Sequence, residues 1–413
     1  MRRHILIVGA SLAGLRTAEQ LRSFGFDGAV TLVGAESYPP YNRPPLSKDV
    51  LLASSDPATA LAALALRPKE CLADAAWKLG VAVQSVDLAA RTAKLADGEA
   101  IAFDGLVAAT GLRARRLPLP GGERHRYTLR TLDDAIALRA RLRPGVQVAV
   151  IGGGFVGCEV AASASRAGCA VTVIEPLAAP MQRAIGPELG QALQALHEAA
   201  GTRFLLQRSV AAFETDPREG SLHGLRLDDG SLVAADIVVE AVGSQPNVEW
   251  LGGNGLDLGD GFLCDHHLAI EGRAGVVAVG DVARFPNGFA DAVPRRIEHW
   301  SIPAVTARRA ADHLARYLSG RRPSEEPFAP LPTFWSDQHG LRIQSAGMPS
   351  LGTRIEVLSG DLTPDAMRRS GMALGYWRGD RLIGVVAVGL APAQFVPLQA
   401  RVAAGAFEGG DAK

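Results

Sequence analysis

Thiols are scarce in this chain, and none are spaced for chemistry. Its four cysteines, Cys71, Cys158, Cys169 and Cys264, are scattered over 413 residues. None form a CxxC or CxxxxC pair, and no cysteine–histidine cluster has zinc spacing, so no metal centre is expected. They read as buried, reduced thiols of a reducing compartment. Net charge is missing too: 43 basic and 43 acidic side chains cancel. That removes any global field for nucleic acid or an anionic membrane. Lysine is rare, five against 38 arginines, a genome-composition bias before it is a binding signal. Long apolar runs are lacking as well. The least polar, LIGVVAVGLAPAQFVPL at 382–398, is broken by glycine, proline and glutamine. It falls short of the ~20 continuous apolar residues of a membrane span. At the other end, an apolar strand begins at His4, so no signal or transit peptide is expected. A cytoplasmic protein, monomeric, with no membrane or nucleic-acid partner is expected.

What is present is an ordinary globular mix, 47% apolar and 21% charged, on a chain long enough for two or three domains. One unit occurs twice. HILIVGASLAGLRTAEQLRSFGFDGAVTLVGAE spans 4–36, and VQVAVIGGGFVGCEVAASASRAGCAVTVIE spans 146–175. Each reads as apolar strand, glycine turn, small-residue helix, second strand, acid, the opening of a dinucleotide-binding βαβ unit. Gly9 and Gly152 make the tight turn out of the strand. Ser11 and Gly154 let the backbone approach a pyrophosphate, which then sits on the helix N-terminus. Gly14 and Gly157 let helix and strand pack closely. Two units imply two dinucleotides, for which the common pairing is FAD with a nicotinamide. Glu175 ends the strand VTVIE, where a carboxylate accepts both ribose hydroxyls and repels a 2′-phosphate, so NADH is expected over NADPH. Glu36 is the candidate for the FAD ribose.

Residues 38–48 read YPPYNRPPLSK, four prolines in eight positions with Arg43 and Lys48 around the last pair. This is a stiff, cation-flanked loop. After 323 the chain changes character. RRPSEEPFAPLP is a proline-rich linker, followed by the short strands LRIQSAG, RIEVLSG, MALGYW and RLIGVVAVG. The last two are joined across Arg378-Gly379-Asp380, a hairpin signal. A helical stretch near 394–404 completes a smaller α+β domain.

In order, GASLAG, PPYNRPPLSK, AATG (108–111), IGGGFVGCE, AVGSQPN (241–247), VGDVARFPN (279–287), IEHW (297–300) and FWSDQ (334–338) resemble the FAD-dependent NADH:ferredoxin reductases that serve bacterial haem monooxygenases and Rieske dioxygenases. The resemblance covers nearly the whole chain. It implies an α/β fold with two Rossmann-like dinucleotide-binding domains, glutathione-reductase-like, plus the C-terminal α+β domain. The boundaries that follow are FAD-binding 1–113 and 244–322, NADH-binding 114–243, and a C-terminal interface domain 323–413. It implies that Pro44 and Pro45 pack on the flavin ring, that Arg43 contacts FAD, and that Lys48 lies near flavin N5, paired with Glu159. Thr110, Gly111, Arg115, Asp281 and Trp300 join the FAD set, and Gly243 and Glu159 the NAD set. The helix at roughly 301–318 is expected to aim its N-terminus at the flavin. Trp335 is expected at the edge facing the partner.

Relatives that reduce disulphides or peroxides carry a cysteine near the flavin. Here Tyr41-Asn42-Arg43 has none, and Cys71 is the nearest thiol along the chain. Electrons are therefore expected to leave the protein: NADH reduces FAD, and FAD reduces a [2Fe–2S] ferredoxin one electron at a time. Arg295, Arg296, Arg308 and Arg309 are expected to form a basic docking patch for that acidic partner. Two other readings stand beside this one. One is a reductase of rubredoxin or a small molecule. The other is a flavoprotein with an interaction role, like the apoptosis-inducing factors, against which the compact C-terminal domain and the rarity of lysine both argue.

Overall fold

The computed structural model describes residues 3–53, 56–216 and 218–405. In chain order the principal elements are β1 (His4–Val8), α1 (Leu12–Ser23), β2 (Ala29–Gly34), β3 (Ala76–Leu79), β4 (Gly105–Ala108) and β5 (Arg126–Tyr127). Next come β6 (Gln147–Ile151), α2 (Phe155–Arg166), β7 (Ala170–Glu175), α3 (Pro187–Ala199), β8 (Arg203–Leu206), β9 (Ile237–Glu240), β10 (Val276–Ala278) and α4 (Ile302–Leu318). The last are β11 (Thr333–Gln338), β12 (Leu341–Gly347), β13 (Arg354–Ser359), β14 (Met372–Arg378), β15 (Arg381–Val388) and α5 (Pro392–Ala404).

The chain divides into two compact units. One holds the residues up to Asn42, Ala63–Arg113 and Gln245–Pro332; the other holds Arg43–Ala62, Ala114–Ser244 and the residues from Thr333 on. The first is built on a parallel sheet ordered β10-β4-β1-β2-β3. Its strand HILIV is apolar without alternation because both faces are covered. A three-stranded antiparallel sheet, Val83–Asp87, Thr92–Leu95 and Ala100–Ala102, stands between β3 and β4 in the chain.

The second unit repeats this plan. Its parallel sheet runs β5-β9-β6-β7-β8, with a three-stranded antiparallel sheet again inserted before β9. The same unit carries an antiparallel sheet ordered β11-β12-β15-β14-β13. Arg378 pairs with Arg381, so the expected hairpin turns at Gly379-Asp380. Leu189, Leu193 and Leu196 of α3 share a core with Ile343, Leu374 and Val386 of that sheet. Tyr376 fixes the contact by donating to the Ile185 carbonyl at 2.6 Å. The final helix begins at Pro392, proline being well suited to a first helical position.

Candidate functional site

The first unit forms its cradle from backbone. Gly9 turns at φ +113°, and a Cβ there would lie 2.1 Å from the Ala109 carbonyl oxygen. One on Gly14 would lie 1.9 Å from the Gly9 carbonyl oxygen. Only glycine permits either approach. Ser11 caps α1 in extended conformation without engaging its side chain, which leaves the first-turn N–H groups for an anion. At the end of β4, Thr110 donates to the Asn247 carbonyl (2.6 Å) and receives Asn247 Nδ2 on its own carbonyl (3.0 Å). This stitches two segments of the first unit together beside Gly111, itself at φ +58°.

A second helix start meets the first. Gly280 (φ +71°) is wedged so that a Cβ would lie 3.1 Å from Ala13 in the first turn of α1 and 3.7 Å from Pro303 in the first turn of α4. Its N–H donates to Thr306 Oγ1 at 3.0 Å. Asp281 follows immediately, half-buried, and its carbonyl accepts from Arg296 at 3.3 Å. Trp300 is half-buried just before α4. Two positive helix ends beside an acid suit a ligand carrying both a pyrophosphate and hydroxyls. That is the donor set FAD requires, so these residues fit it. Glu36, past β2, accepts from the Tyr41 hydroxyl at 2.5 Å.

The second unit repeats the geometry glycine for glycine. Gly152 turns at φ +100° with its missing Cβ 2.4 Å from the Ala241 carbonyl oxygen, and Gly157 stands 2.0 Å from that of Gly152 in the same sense. Nothing lies within 4 Å of a Cβ on Gly154 or Gly243. Both mark open space at the cradle, as a nucleotide needs. Glu175 is 9% exposed. It accepts the Gly153 N–H (2.7 Å) and the Leu177 N–H (2.9 Å), so its carboxylate is pinned at the turn. Gly243 accepts the N–H of Arg115, whose side chain is exposed. The repeat explains ATG and AVG: each follows the strand against which its cradle glycine packs.

The proline loop also lies in the second unit. Pro44–Ser47 form a 3₁₀ turn capped by Arg43, which donates to the Arg130 carbonyl at 2.8 Å. Proline's fixed φ suits that turn, and the turn folds Lys48 back. Lys48 Nζ donates to the Pro44 carbonyl (3.1 Å) and pairs with Glu159 Oε1 at 2.8 Å. Glu159 is only 6% exposed. It accepts two more bonds, from Ser47 Oγ on Oε2 and from Ser336 Oγ on Oε1, each 2.5 Å. Three donors, one of them the lysine, therefore converge on one buried carboxylate. The sequence reading missed Ser336 and its neighbour Gln338. Along β11, positions 334, 336 and 338 lie on one face, and two of them are polar, which was the available signal.

The cysteine and arginine expectations need correction. Cys71 is exposed, not buried. It is also not the thiol to consider, because Cys158 precedes Glu159 in α2. Burial, then the Glu175 and Glu159 carboxylates, push the Cys158 thiol far up. It donates to the Gly153 carbonyl as a neutral group. Arg309 is not available for docking. It is 7% exposed, donates to the His266 carbonyl and lies over Phe328 at 5.7 Å. Arg295 pairs with Asp291, and Arg296 with Asp260 and Glu298, so their charge is largely spent within the unit. Arg308 is exposed without an ion pair among the described residues, and Trp335 is 37% exposed. Among the described residues no cluster of metal ligands occurs and no helix is long and apolar enough to cross a membrane.

Paired parallel sheets, each with its own glycine cradle and strand-end carboxylate, define an oxidoreductase that uses two dinucleotides. The chain belongs to the pyridine nucleotide-disulphide oxidoreductase family, whose model matches residues 3–306, and a reductase C-terminal model matches residues 333–408. It is 33% identical to putidaredoxin reductase CamA of Pseudomonas putida over 92% of this chain and 87% of that one. It is 36% identical to the ferredoxin–NAD(+) reductase component of the anthranilate 1,2-dioxygenase system of Burkholderia cepacia, over 86% and 84%. Among solved structures, the covalent putidaredoxin reductase–putidaredoxin complex matches with a TM-score of 0.87 at 31% identity, covering 97% of this chain and 93% of that one. Despite the family's name, all four cysteines here are free.

Proposed function

We propose that this chain is a cytoplasmic NADH:ferredoxin reductase, passing electrons through FAD to a [2Fe–2S] ferredoxin that supplies a haem monooxygenase or a Rieske oxygenase. Residues 1–113 and 244–322 form its FAD domain, 114–243 its NADH domain and 323–413 the C-terminal domain. The observation that carries this reading is the duplicated cradle combined with a buried Lys48–Glu159 pair, beside which the Cys158 thiol is held neutral by burial. The chemistry FAD supplies when bound is conversion of a two-electron donor into a one-electron donor.

The protein's part is positioning and electrostatics. Gly9, Ser11 and Gly14 present the α1 N-terminus to the FAD pyrophosphate, and Asp281 accepts from its sugar-alcohol chain. Gly152, Gly154 and Gly157 do the same for NADH, whose ribose is held by Glu175. Lys48 supplies a fixed cation for the site where negative charge accumulates on reduction, and Glu159 keeps it in place. Arg308 and Trp335 present exposed cationic and aromatic surface for the acidic partner.

Cytochrome c reduction by NADH, with and without a [2Fe–2S] ferredoxin from the same genome, tests the reading. Strong stimulation by ferredoxin, with NADPH much the poorer donor, is the expected result. Flavin bleaching by NADH without stimulation would move the function to another acceptor.

A further inference from the structure

Beyond the Lys48–Glu159 pair runs a line of hydrogen bonds that no step described above uses. Ser336 Oγ meets Glu159 Oε1 at 2.5 Å, and Gln338 Nε2 meets Ser336 Oγ at 3.0 Å. Gln338 Oε1 meets His197 Nε2 at 2.8 Å, and His197 Nδ1 meets His339 Nε2 at 2.9 Å. Ser336 and Gln338 are each 1% exposed and His197 is 0% exposed. Only the last member, His339, is half-buried.

The carboxylate fixes the direction of every bond. Glu159 can only accept, so Ser336 spends its one hydrogen on it. Ser336 must then accept from Gln338, which orients that amide. The Gln338 oxygen therefore faces His197, whose Nε2 must carry the proton. Burial holds His197 neutral, so its Nδ1 is bare and accepts from His339 Nε2–H. The four bonds form one cascade pointing at Glu159.

The backbone supports it. His339 and Gly340 form the two-residue turn joining β11 to β12, with φ of +47° and +79°. Such turns favour Asn-Gly or Gly-Gly. Non-glycine residues are uncommon in this left-handed region, and histidine is among those that enter it more readily. Here its ring is the group that closes the cascade.

We propose that Gln338 and His197, terminated by His339, are positioning residues for the Lys48–Glu159 pair. They lock Glu159 as an acceptor with Oε1 toward Lys48, so the cation's position depends on α3 and on the C-terminal strand β11. This rests on the reading of Lys48 given above.

The test is a double-mutant cycle on the FAD-loaded enzyme. Stopped-flow reduction by NADH and the flavin midpoint potential are measured for wild type, Gln338→Met, Lys48→Met and the double variant. Gln338→Met is expected to slow reduction roughly five- to thirtyfold at unchanged NADH affinity, with the potential moving in the same direction as in Lys48→Met. In the Lys48→Met background it should add nothing. His197→Gln, which keeps a donor where Nε2 stood, should retain the wild-type rate, and His197→Phe should match Gln338→Met. Effects that multiply across the cycle, or a wild-type rate and potential in Gln338→Met, overturn the proposal. Independently, ¹⁵N spectra should show His197 as the neutral Nε2–H tautomer and shift in Glu159→Gln. An unchanged His197 spectrum overturns the cascade whatever the variants do. Wild type that NADH cannot reduce would instead sink the functional reading, with the spectra still deciding the cascade.

Discussion

Replacing Glu175 by alanine probes why this chain takes NADH. The carboxylate is 9% exposed and pinned by two backbone N–H groups at 2.7 and 2.9 Å, so it cannot swing aside. Two unit charges about 4 Å apart interact by about 1 kcal/mol in bulk water and about 4 kcal/mol at an effective dielectric of 20. A 2′-phosphate carries nearly two charges, which puts its exclusion at about 2–8 kcal/mol. Solvent access at a cradle mouth favours the lower half of that range. Charge-assisted hydrogen bonds to the NADH ribose contribute about 1.5–3 kcal/mol. Glu175→Ala should therefore lower kcat/KM for NADH roughly ten- to hundredfold and raise it for NADPH at least roughly tenfold. The freed N–H groups of Gly153 and Leu177 would then face an anion. Steady-state kinetics with both nucleotides, beside a thermal melt, reads this directly. If both nucleotides lose equally and the melt drops, Glu175 is only a clamp on the glycine turn and the specificity argument fails.

Arg308→Glu should raise the apparent KM for ferredoxin and weaken its salt dependence with flavin reduction by NADH unchanged. Arg309→Glu should instead unfold the protein more readily, because it replaces a guanidinium that donates to the His266 carbonyl and lies over Phe328 with a buried carboxylate that can do neither; equal docking defects in soluble, stable forms of both would refute this assignment. Glu240 is fully buried and accepts Arg126 Nε at 2.8 Å and the Leu117 N–H at 2.6 Å. Glu240→Ala leaves that guanidinium buried without its partner and should destabilise by about 3–5 kcal/mol, read by urea unfolding. His339 and His299 are both pushed down to about 4, chiefly by burial. With folded values below the unfolded ~6.5, the unfolded chain binds protons first on acidification. Stability should fall from about pH 6.5 to about pH 4, and His339→Asn should flatten part of that slope. A melting temperature constant across the window would contradict it.

Legibility in the sequence tracks how local each constraint is. Gly9 and Gly152 were readable because a left-handed turn pressed against a carbonyl admits only glycine. Glu175 was readable because a strand end fixes where its carboxylate stands. Arg309 was readable in principle and was misread. It lies seven residues beyond Ile302, on the buried face that also carries Thr306, Ala310 and His313, while Arg308 is one step round the helix. The Glu159 network was not readable. Its partners stand 112 and 177 residues away in sequence, and His197 and Gln338 are 141 apart. No periodicity reports such contacts.

The thiols complete the functional argument from the opposite side. Dithiol chemistry needs a thiolate, and a thiolate needs cationic or exposed surroundings. Cys158 has the reverse: full burial and two neighbouring carboxylates. Cys264 is likewise buried, with Asp265 pushing its thiol up further. The carboxylates that disarm Cys158 are Glu175 and Glu159, the residues read here as holding the nicotinamide ribose and Lys48. The two carboxylates proposed for the nicotinamide ribose and for Lys48 thus add to the burial that keeps Cys158 neutral. Removing Glu159 should therefore leave Cys158 unreactive, since burial is the larger cause. Alkylation of Cys158 in native Glu159→Gln at the rate of exposed Cys71 would show that charge, not burial, keeps it silent.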